Sequence, residues 1–470
     1  MNDTRLIRRY VVWDLSSSFL AWQVFNVFRF QTFRSTVGFE TLSGFLLQEK
    51  FLFLGVLVPI FWSFLYFLSG YYTEPRKKTN LGDFMNAAIL TLIGVIILFF
   101  LIVINDYPQH PYLYYQIVGG YLLIHLVLTS LVRYFQTNKL LVNQSKGKYS
   151  VPVLIVGTGE KAVRLRKEFN QYKSSFSYRF EGFIRVGDNP VRVDEEEVLG
   201  DIHSMPEMVK KYHIEECLFA LDHMRSDMVQ EVLQSIYPLN IPARAFADRQ
   251  EILAGKVSLF SLFGIPLYHL TPKLMPSWQR QIKRCLDVLL SVLVMLLFSP
   301  LYAYLSLRVK TSSSGPVLYV QTRLGKQGKP FRMYKFRTMY MEAEADGPRL
   351  SSRNDERITP FGRFMRKYRL DELPQFWNVL KGDMSIVGPR PERAFFVEKI
   401  IQKSPQYLLI QQVLPGITSW GMVKFGYADT VEKMLERLEY DLMYLENQNL
   451  LLDLKILVFT IKPLLKGKGQ

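Results

Sequence analysis

The chain of 470 residues carries 58 Lys and Arg against 42 Asp and Glu, a net charge of +16, and is 49% hydrophobic and 14% aromatic, enough length for two or three domains. Its two cysteines, Cys217 and Cys285, exclude a disulfide framework and a cysteine-based zinc site by number alone. No interleaved aromatic and basic reader segment points to nucleic acid, so a basic chain with apolar blocks directs attention to anionic lipid and phosphorylated small molecules.

Arg5, Arg8 and Arg9 precede an apolar run without a small-residue cleavage site, which reads as a retained helix rather than a cleaved leader. Four apolar stretches follow one another, Tyr10–Phe28, Phe51–Tyr72, Phe84–Ile104 and Tyr112–Val132. Each is about 20 residues, enough for a bilayer core of ~30 Å. A four-helix transmembrane bundle is expected over residues 1–149, with Asp14 turned to its interior or to the interface. Arg76, Lys77 and Lys78 lie between the second and third stretches, and Arg133, Lys139, Lys146 and Lys148 follow the fourth, while Asn105–Pro111 has no Lys or Arg. The positive-inside rule then places both ends of the bundle in the cytoplasm.

Residues 150–250 read as a Rossmann-like α/β domain. Strand-like runs at Val153–Val156, Phe183–Val186, Cys217–Leu221 and Ile241–Phe246 alternate with helix-length segments. The turn Gly157-Thr158-Gly159-Glu160-Lys161-Ala162 is a partial dinucleotide fingerprint, and Asp188 lies further along than the usual acidic ribose ligand. Two readings stand for this domain, a nucleotide site and a structural or regulatory module. Residues 251–280 read as a linker and interfacial segment.

Twenty uncharged residues separate Asp287 from Arg308, the length of a further span. Arg280, Lys283 and Arg284 precede it and Arg308 and Lys310 follow, so both flanks favour the same side. Ser299-Pro300 breaks it in the middle, where proline removes a backbone donor. A helix over 285–308 that enters and leaves by one face is expected, a straight span with a tolerated proline being the other reading. From Arg323 to Arg369 there are thirteen Lys or Arg against five Asp or Glu, a face suited to anionic headgroups. Lys335 and Arg337 fall at i and i+2 of a strand-like run, Phe331–Met339, and are expected to share a face as a two-point phosphate grip. The last apolar stretch, Leu450–Leu465, is expected to pack on the core or lie in the interface.

The segment Arg366–Glu392 is the most informative part of the chain. Adjacent carboxylates Asp371 and Glu372 stand between Arg366, Lys367 and Arg369 on one side and Arg390 on the other. Neighbouring acids stay ionised together only where cations or a metal offset them, which suits a place where Mg²⁺ and phosphates meet. The plainer reading makes Asp371 a helix cap with Pro374 in the first turn. No His or Cys occurs from Arg308 onward. Ser–His and Cys–His catalysis are excluded there, and carboxylate attack on phosphorus remains available.

This segment, with Tyr334-Lys335-Phe336-Arg337-Thr338-Met339 before it and Pro415-Gly416-Ile417-Thr418 after it, resembles the bacterial sugar transferase family, the monotopic polyprenyl-phosphate hexose-1-phosphate transferases. The resemblance runs from about Arg280 to the C-terminus. It implies a catalytic domain over 281–470 of mixed α/β fold with a re-entrant membrane helix, behind a membrane bundle and a Rossmann-like domain without redox chemistry. It further implies transfer of a hexose 1-phosphate from a nucleoside diphosphate sugar, with UDP-hexose the expected donor, to a polyprenyl phosphate such as undecaprenyl phosphate. Such a step initiates an exopolysaccharide, capsule or O-antigen unit. Asp371 matches the family nucleophile and Glu372 its magnesium ligand. Lys335, Arg366 and Arg390 match basic residues around the phosphates, and Asp441 matches a later carboxylate whose other reading is a solvated helix face. The implied location is the cytoplasmic membrane of a bacterium, multi-pass, with the catalytic domain on the cytoplasmic face; a homo-oligomer is left open. Where many members carry Gly-Arg, this chain reads Lys424-Phe425-Gly426-Tyr427. Lys424 there offers a point charge without bidentate geometry. Two rivals are a non-enzymatic nucleotide-sensing membrane scaffold and a membrane oxidoreductase, neither of which needs the acid pair.

Overall fold

A computed structural model of the protein describes residues 2–33, 41–47, 49–102, 112–171, 178–187, 191–222, 231–232, 234–239, 241–247, 267–272, 274–341, 343 and 355–465. Asp188, the loop 105–111 and most of the expected linker lie outside the described residues. The chain divides into two compact units, one of residues 1–152, 168–180 and 276–281, the other of residues 153–167, 181–275 and 282–470.

The first unit is helical: α1 (Asn2–Phe33), the short α2 (Leu42–Leu46), α3 (Glu49–Leu68), α4 (Asn80–Leu101) and α5 (Tyr112–Ser145). α1 packs on α3 and α5, and α5 on α4. Aromatic rings fill the space between them, with Trp22, Phe25, Trp62, Tyr66 and Tyr121 fully buried. The indole N–H of Trp62 donates to the Tyr121 hydroxyl at 2.8 Å, so the polar edges of these two rings are used inside. Among the described residues α3, α4 and α5 are long and apolar enough to cross a membrane, and α1 is not among them. α1 spends part of its inward face on Asp14, Ser17, Ser18, Asn26 and Arg29, all buried, which lowers its hydropathy below that of the other three. Asp14 is fully buried and meets Arg133 through two bonds of 3.1 and 3.2 Å, with the Tyr72 hydroxyl donating at 2.8 Å. Arg133 is therefore no loop cation. α5 continues past it to Ser145, and the residue pairs across the helices rather than marking a membrane face.

A six-stranded sheet follows, most of it in the second unit. Its strands are β1 (Val151–Val156), β2 (Tyr178–Arg185), β3 (Val198–Asp201), β4 (Glu216–Phe219), β5 (Ala243–Phe246) and β6 (Leu267–His269), in the order β3-β2-β1-β4-β5-β6. Pairing is parallel at β2–β3, β1–β4 and β4–β5, and antiparallel at β5–β6. β1 and β4 are buried along their whole length, as a parallel sheet covered on both faces requires. Helices α6 (Glu160–Gln171) and α7 (Met205–Lys211) belong to the crossovers. β3 and β6 were not read from the sequence, and β6 brings part of the expected linker into the sheet. At the fingerprint turn, the carboxylate of Asp222 accepts the backbone N–H groups of Glu160 at 2.8 Å and Lys161 at 2.9 Å. Gly159 lies so close that a Cβ there would fall 1.9 Å from Asp222 Oδ2.

The apolar stretch before Arg308 forms two helices, α8 (Ser277–Leu297) and α9 (Ser299–Ser312), bent by 65° about Phe298. Pro300 has no N–H for the carbonyl of Leu296, and the Ser299 hydroxyl donates to that carbonyl instead at 2.8 Å. Three charged residues fasten α8 to the rest of the unit. Lys283 donates to Val387 O and Asp453, Arg284 to the carbonyls of Val379 and Leu380, and Asp287 accepts from Ser385 and Ile386 N. Beyond α9 come the hairpin β7 (Leu318–Leu324) and β8 (Pro330–Phe336), α10 (Pro360–Lys367), a 3-10 turn at Leu370–Glu372, and α11 (Gln375–Lys381). β9 (Ser385–Val387) pairs in parallel with β10 (Gly416–Thr418), and between them lie α12 (Ala394–Lys403) and α13 (Tyr407–Ile410). Three helices close the chain, α14 (Trp420–Lys424), α15 (Val431–Asn447) and α16 (Leu450–Leu465). α16 packs by Asp453 and Ile456 and leaves Leu451, Leu454, Val458 and Ile461 exposed as a stripe at helical spacing.

Candidate active site

The acid pair sits in the 3-10 turn between α10 and α11, entered through Arg369 in the left-handed conformation (φ 53°). The capping reading fails, since α11 begins at Gln375 behind Pro374 and takes no side-chain cap. Both carboxylates are 8% exposed, yet their partners differ. Glu372 Oε1 accepts from Lys335 Nζ at 3.1 Å and from Arg390 Nη2 at 3.2 Å, and Oε2 lies 3.6 Å from Arg369 Nη1. Among the described residues Asp371 has no ion pair. Burial works against the charge on Glu372, but Lys335, Arg390 and Arg369 together outweigh it and hold its carboxyl below the ordinary glutamate range. For Asp371 burial wins and raises the carboxyl; Glu372 adds to the rise and Lys335 and Arg366 oppose it. Glu372 is thus a clamped anion, and Asp371 an uncommitted carboxylate beside it.

The cations around the pair are themselves held. Asn378, fully buried on α11, accepts from Tyr334 N at 3.0 Å and donates to Arg332 O at 2.7 Å, which fixes β8 against α11 and sets Lys335 opposite Glu372. The other guanidinium nitrogen of Arg390 meets Met422 Sδ at 3.1 Å. Two residues on, Glu392 is buried and accepts from Arg437 at 2.7 Å and Arg323 at 2.9 Å, so the Pro389-Arg390-Pro391-Glu392 run is fixed at both ends. Arg366 donates to Thr338 Oγ1 at 2.9 Å. Lys335, Arg366, Arg369 and Arg390 give four positive charges against the two of Asp371 and Glu372, a surplus of two that suits a diphosphate.

Arg337 does not join Lys335 in a two-point grip. β8 ends at Phe336, the alternation stops there, and the Arg337 guanidinium donates to the carbonyls of Ser313 at 2.6 Å and Val309 at 3.4 Å at the end of α9. Asp441 is not on a solvated face. It is 2% exposed on α15, accepts from Gly421 N at 3.2 Å, and burial raises its carboxyl to about 6. A Cβ at Gly421 would fall 2.7 Å from Arg437 and 2.9 Å from Asp441, so glycine lets α14 approach α15. Lys424 lies over the rings of Trp420 at 4.9 Å and Phe459 at 5.3 Å. Ser299 and Pro300 mark the bend between α8 and α9. Sequence reading missed Asn378, Glu392, Arg323 and Arg437; only the adjacency of Glu392 to the Pro-Arg-Pro run signalled any of them. Among the described residues no three His, Cys, Asp or Glu side chains gather as a metal site. Two carboxylates nevertheless suffice where substrate phosphates and water complete a Mg²⁺ sphere.

The family model for bacterial sugar transferases matches residues 278–467. The chain is 40% identical over 230 residues to a UDP-N-acetylgalactosamine-undecaprenyl-phosphate N-acetylgalactosaminephosphotransferase of Aeromonas hydrophila, covering 49% of this chain and 54% of that protein. It is 42% identical over 200 residues to the UDP-glucose:undecaprenyl-phosphate glucose-1-phosphate transferase of Escherichia coli (strain K12), covering 42% and 43%. With a protein of the same description from Caulobacter vibrioides it shares 40% identity over 185 residues, 39% of this chain and 69% of that protein. The chain spans about half the length of the first two relatives. Its C-terminal region matches in residues 278–467, and a relative 40% identical is covered over more than two thirds of its length, so the chain belongs to the bacterial sugar transferase family.

Proposed function

We propose that the protein transfers a sugar 1-phosphate from a UDP-sugar to undecaprenyl phosphate by way of a phospho-sugar covalently held on Asp371. The observation that carries this reading is the asymmetry of the acid pair. Glu372 is held by Lys335, Arg390 and Arg369, while Asp371 is buried, raised and unpaired among the described residues, the condition of a nucleophile. In the first step an Asp371 oxygen bonds to the phosphorus that bears the sugar. The bond from that phosphorus to the bridging oxygen breaks, and uridine monophosphate leaves with the electron pair. In the second step an anionic oxygen of undecaprenyl phosphate bonds to the same phosphorus, and Asp371 departs as carboxylate. Neither step needs a proton removed, which fits a region without His or Cys. Lys335, Arg366 and Arg390 offset charge on the transferred group. Mg²⁺ would be held by Glu372 with the donor phosphates and water, and would supply Lewis-acid polarisation of the donor phosphates.

The same reading places α1, α3, α4 and α5 as a four-helix bundle in the cytoplasmic membrane, with Asp14 and Arg29 of α1 turned inward. The α8–α9 pair is a re-entrant hairpin, and residues 281–470 form the catalytic domain on the cytoplasmic face. The bend at Phe298 and the basic flanks Arg284 and Arg308 support the hairpin. The sheet of residues 150–250 is a structural or regulatory domain. The test is pre-steady-state: purified protein with Mg²⁺ and UDP-sugar, and no lipid acceptor, should release one equivalent of monophosphate in a burst and keep label on Asp371. A requirement for both substrates before any release favours direct attack in a ternary complex. Cysteines placed just before Arg284 and just after Arg308 should label from the cytoplasm alone.

A further inference from the structure

Asp371 and Glu372 are bracketed by Leu370 and Leu373, and both leucines pack into a cluster with Leu305 and Val309 of α9, Phe336 of β8 and Met365 of α10. The floor of the catalytic turn is therefore the second arm of the bent apolar helix. One side chain of that arm reaches both halves of the site. Tyr302, two residues past Pro300, donates its hydroxyl to Leu373 O at 2.7 Å, and its ring lies 6.0 Å from that of Phe336, the neighbour of Lys335.

We propose that Tyr302 is a positioning residue through which the bend between α8 and α9 sets the acid pair against Lys335. The proposal rests on the phosphoryl-transfer reading above. The turn Leu370–Glu372 and strand β8 come from different parts of the chain, and Tyr302 is a contact common to both. Its hydroxyl fixes the height of the turn at Leu373, and its ring packs near Phe336, the residue that follows Lys335 on β8. Because Pro300 fixes where α9 begins, the direction of the second arm, and with it Tyr302, follows from the break. Seating of the helix pair in a bilayer is thereby coupled to the distance between nucleophile and counter-charge.

The carbonyl of Leu373 also accepts from Phe376 N at 3.2 Å, so it keeps a partner when the phenol is removed. Tyr302→Phe should then fold normally and show its effect in chemistry. Misplacement of a reacting group by a fraction of an ångström is enough to cost roughly tenfold in rate. The experiment uses the full chain in nanodiscs, with UDP-sugar and undecaprenyl phosphate. Expected for Tyr302→Phe is a kcat lower by roughly tenfold, a donor KM unchanged and an unchanged melting temperature. Tyr304→Phe, an exposed neighbour on the same arm, should match wild type on all three. Hydrogen–deuterium exchange should rise at the amides of Glu372, Leu373 and Phe376 in Tyr302→Phe alone. If Tyr302→Phe does not accumulate, a ring-difluorinated tyrosine at 302 keeps the shape, strengthens the donor, and should move kcat without moving donor KM. Wild-type kcat and wild-type exchange in Tyr302→Phe overturn the proposal, as does loss confined to melting temperature. A wild-type chain that releases no monophosphate overturns the reaction reading instead, and the exchange data still decide whether Tyr302 orders the turn.

Discussion

Replacing Glu372 by glutamine changes one charge and almost no volume, and it asks whether the clamp or the nucleophile controls turnover. Two charge-assisted bonds, from Lys335 at 3.1 Å and Arg390 at 3.2 Å, lose their anion, and the Arg369 contact at 3.6 Å goes with them. A hydrogen bond to a charged group contributes about 1.5–3 kcal/mol, so the two direct bonds together contribute about 3–6 kcal/mol. The released cations face Asp371, which becomes the one anion of the pair and takes up an ion pair it lacks in the wild type. A nucleophile so paired is held in its ground state. At about 1.36 kcal/mol per decade, the expected fall in kcat is about 10²–10⁴-fold. The positive surplus of the site rises by one charge, so donor KM should stay level or fall. The pH profile gives an independent check. Glu372 helps to raise the Asp371 carboxyl, and without it the acidic limb of kcat should move to lower pH. The assay is monophosphate release against donor concentration from pH 4.5 to 8. A kcat within threefold of wild type, with folding intact, refutes the clamp.

On the proposed reaction, Asp371→Asn keeps the shape and removes the carboxylate charge, so burst and steady-state release should both fall by at least about 10³-fold, with no label retained on the protein. Asp441 carries a raised carboxyl, about 6 folded against 3.8 for the free group. The protonated form is favoured in the fold, so nothing is lost below pH 4, and ionisation costs stability progressively up to pH 6, about 3 kcal/mol in full. Asp441→Asn keeps an acceptor for Gly421 N and should melt higher than wild type at pH 7, with the difference gone at pH 4; equal melting curves at both values refute the assignment. In the helical unit, Asp14→Asn or Arg133→Met alone leaves a buried charge without its partner and should cost about 3–5 kcal/mol, while the double change to Leu and Met should recover much of it. Thermal unfolding in detergent reads all three variants.

What the sequence made legible was local. Asp371, Glu372 and their basic neighbours lie within one short segment, and their chemistry follows from residue type and adjacency. Lys335 was legible because a strand period places it, and Arg337 was misread because the strand stops one residue before it. Asn378, Glu392, Arg437 and Tyr302 act through partners between 44 and 71 residues away, which no local pattern reveals. In the first unit, hydropathy counted Arg133 as a loop cation because apolar residues end before the helix does. The strand β3 escaped because Val198-Leu199-Gly200-Asp201 breaks off its apolar run at glycine, and β6 because three residues are too few for a period.

The turn after β1 has the shape of a nucleotide cradle, with glycines at 157 and 159 and two backbone donors at the start of α6. Asp222 supplies the anion such a cradle collects from a cofactor, and supplies it from within the chain. A ligand that binds only the folded state raises its stability in proportion to the logarithm of its concentration. A cradle filled by its own carboxylate has no such dependence, because the anion is present at fixed effective concentration whatever the cell contains. With Asp222 in that place, the thermal stability of the α/β domain is expected to stay level across any concentration of free dinucleotide.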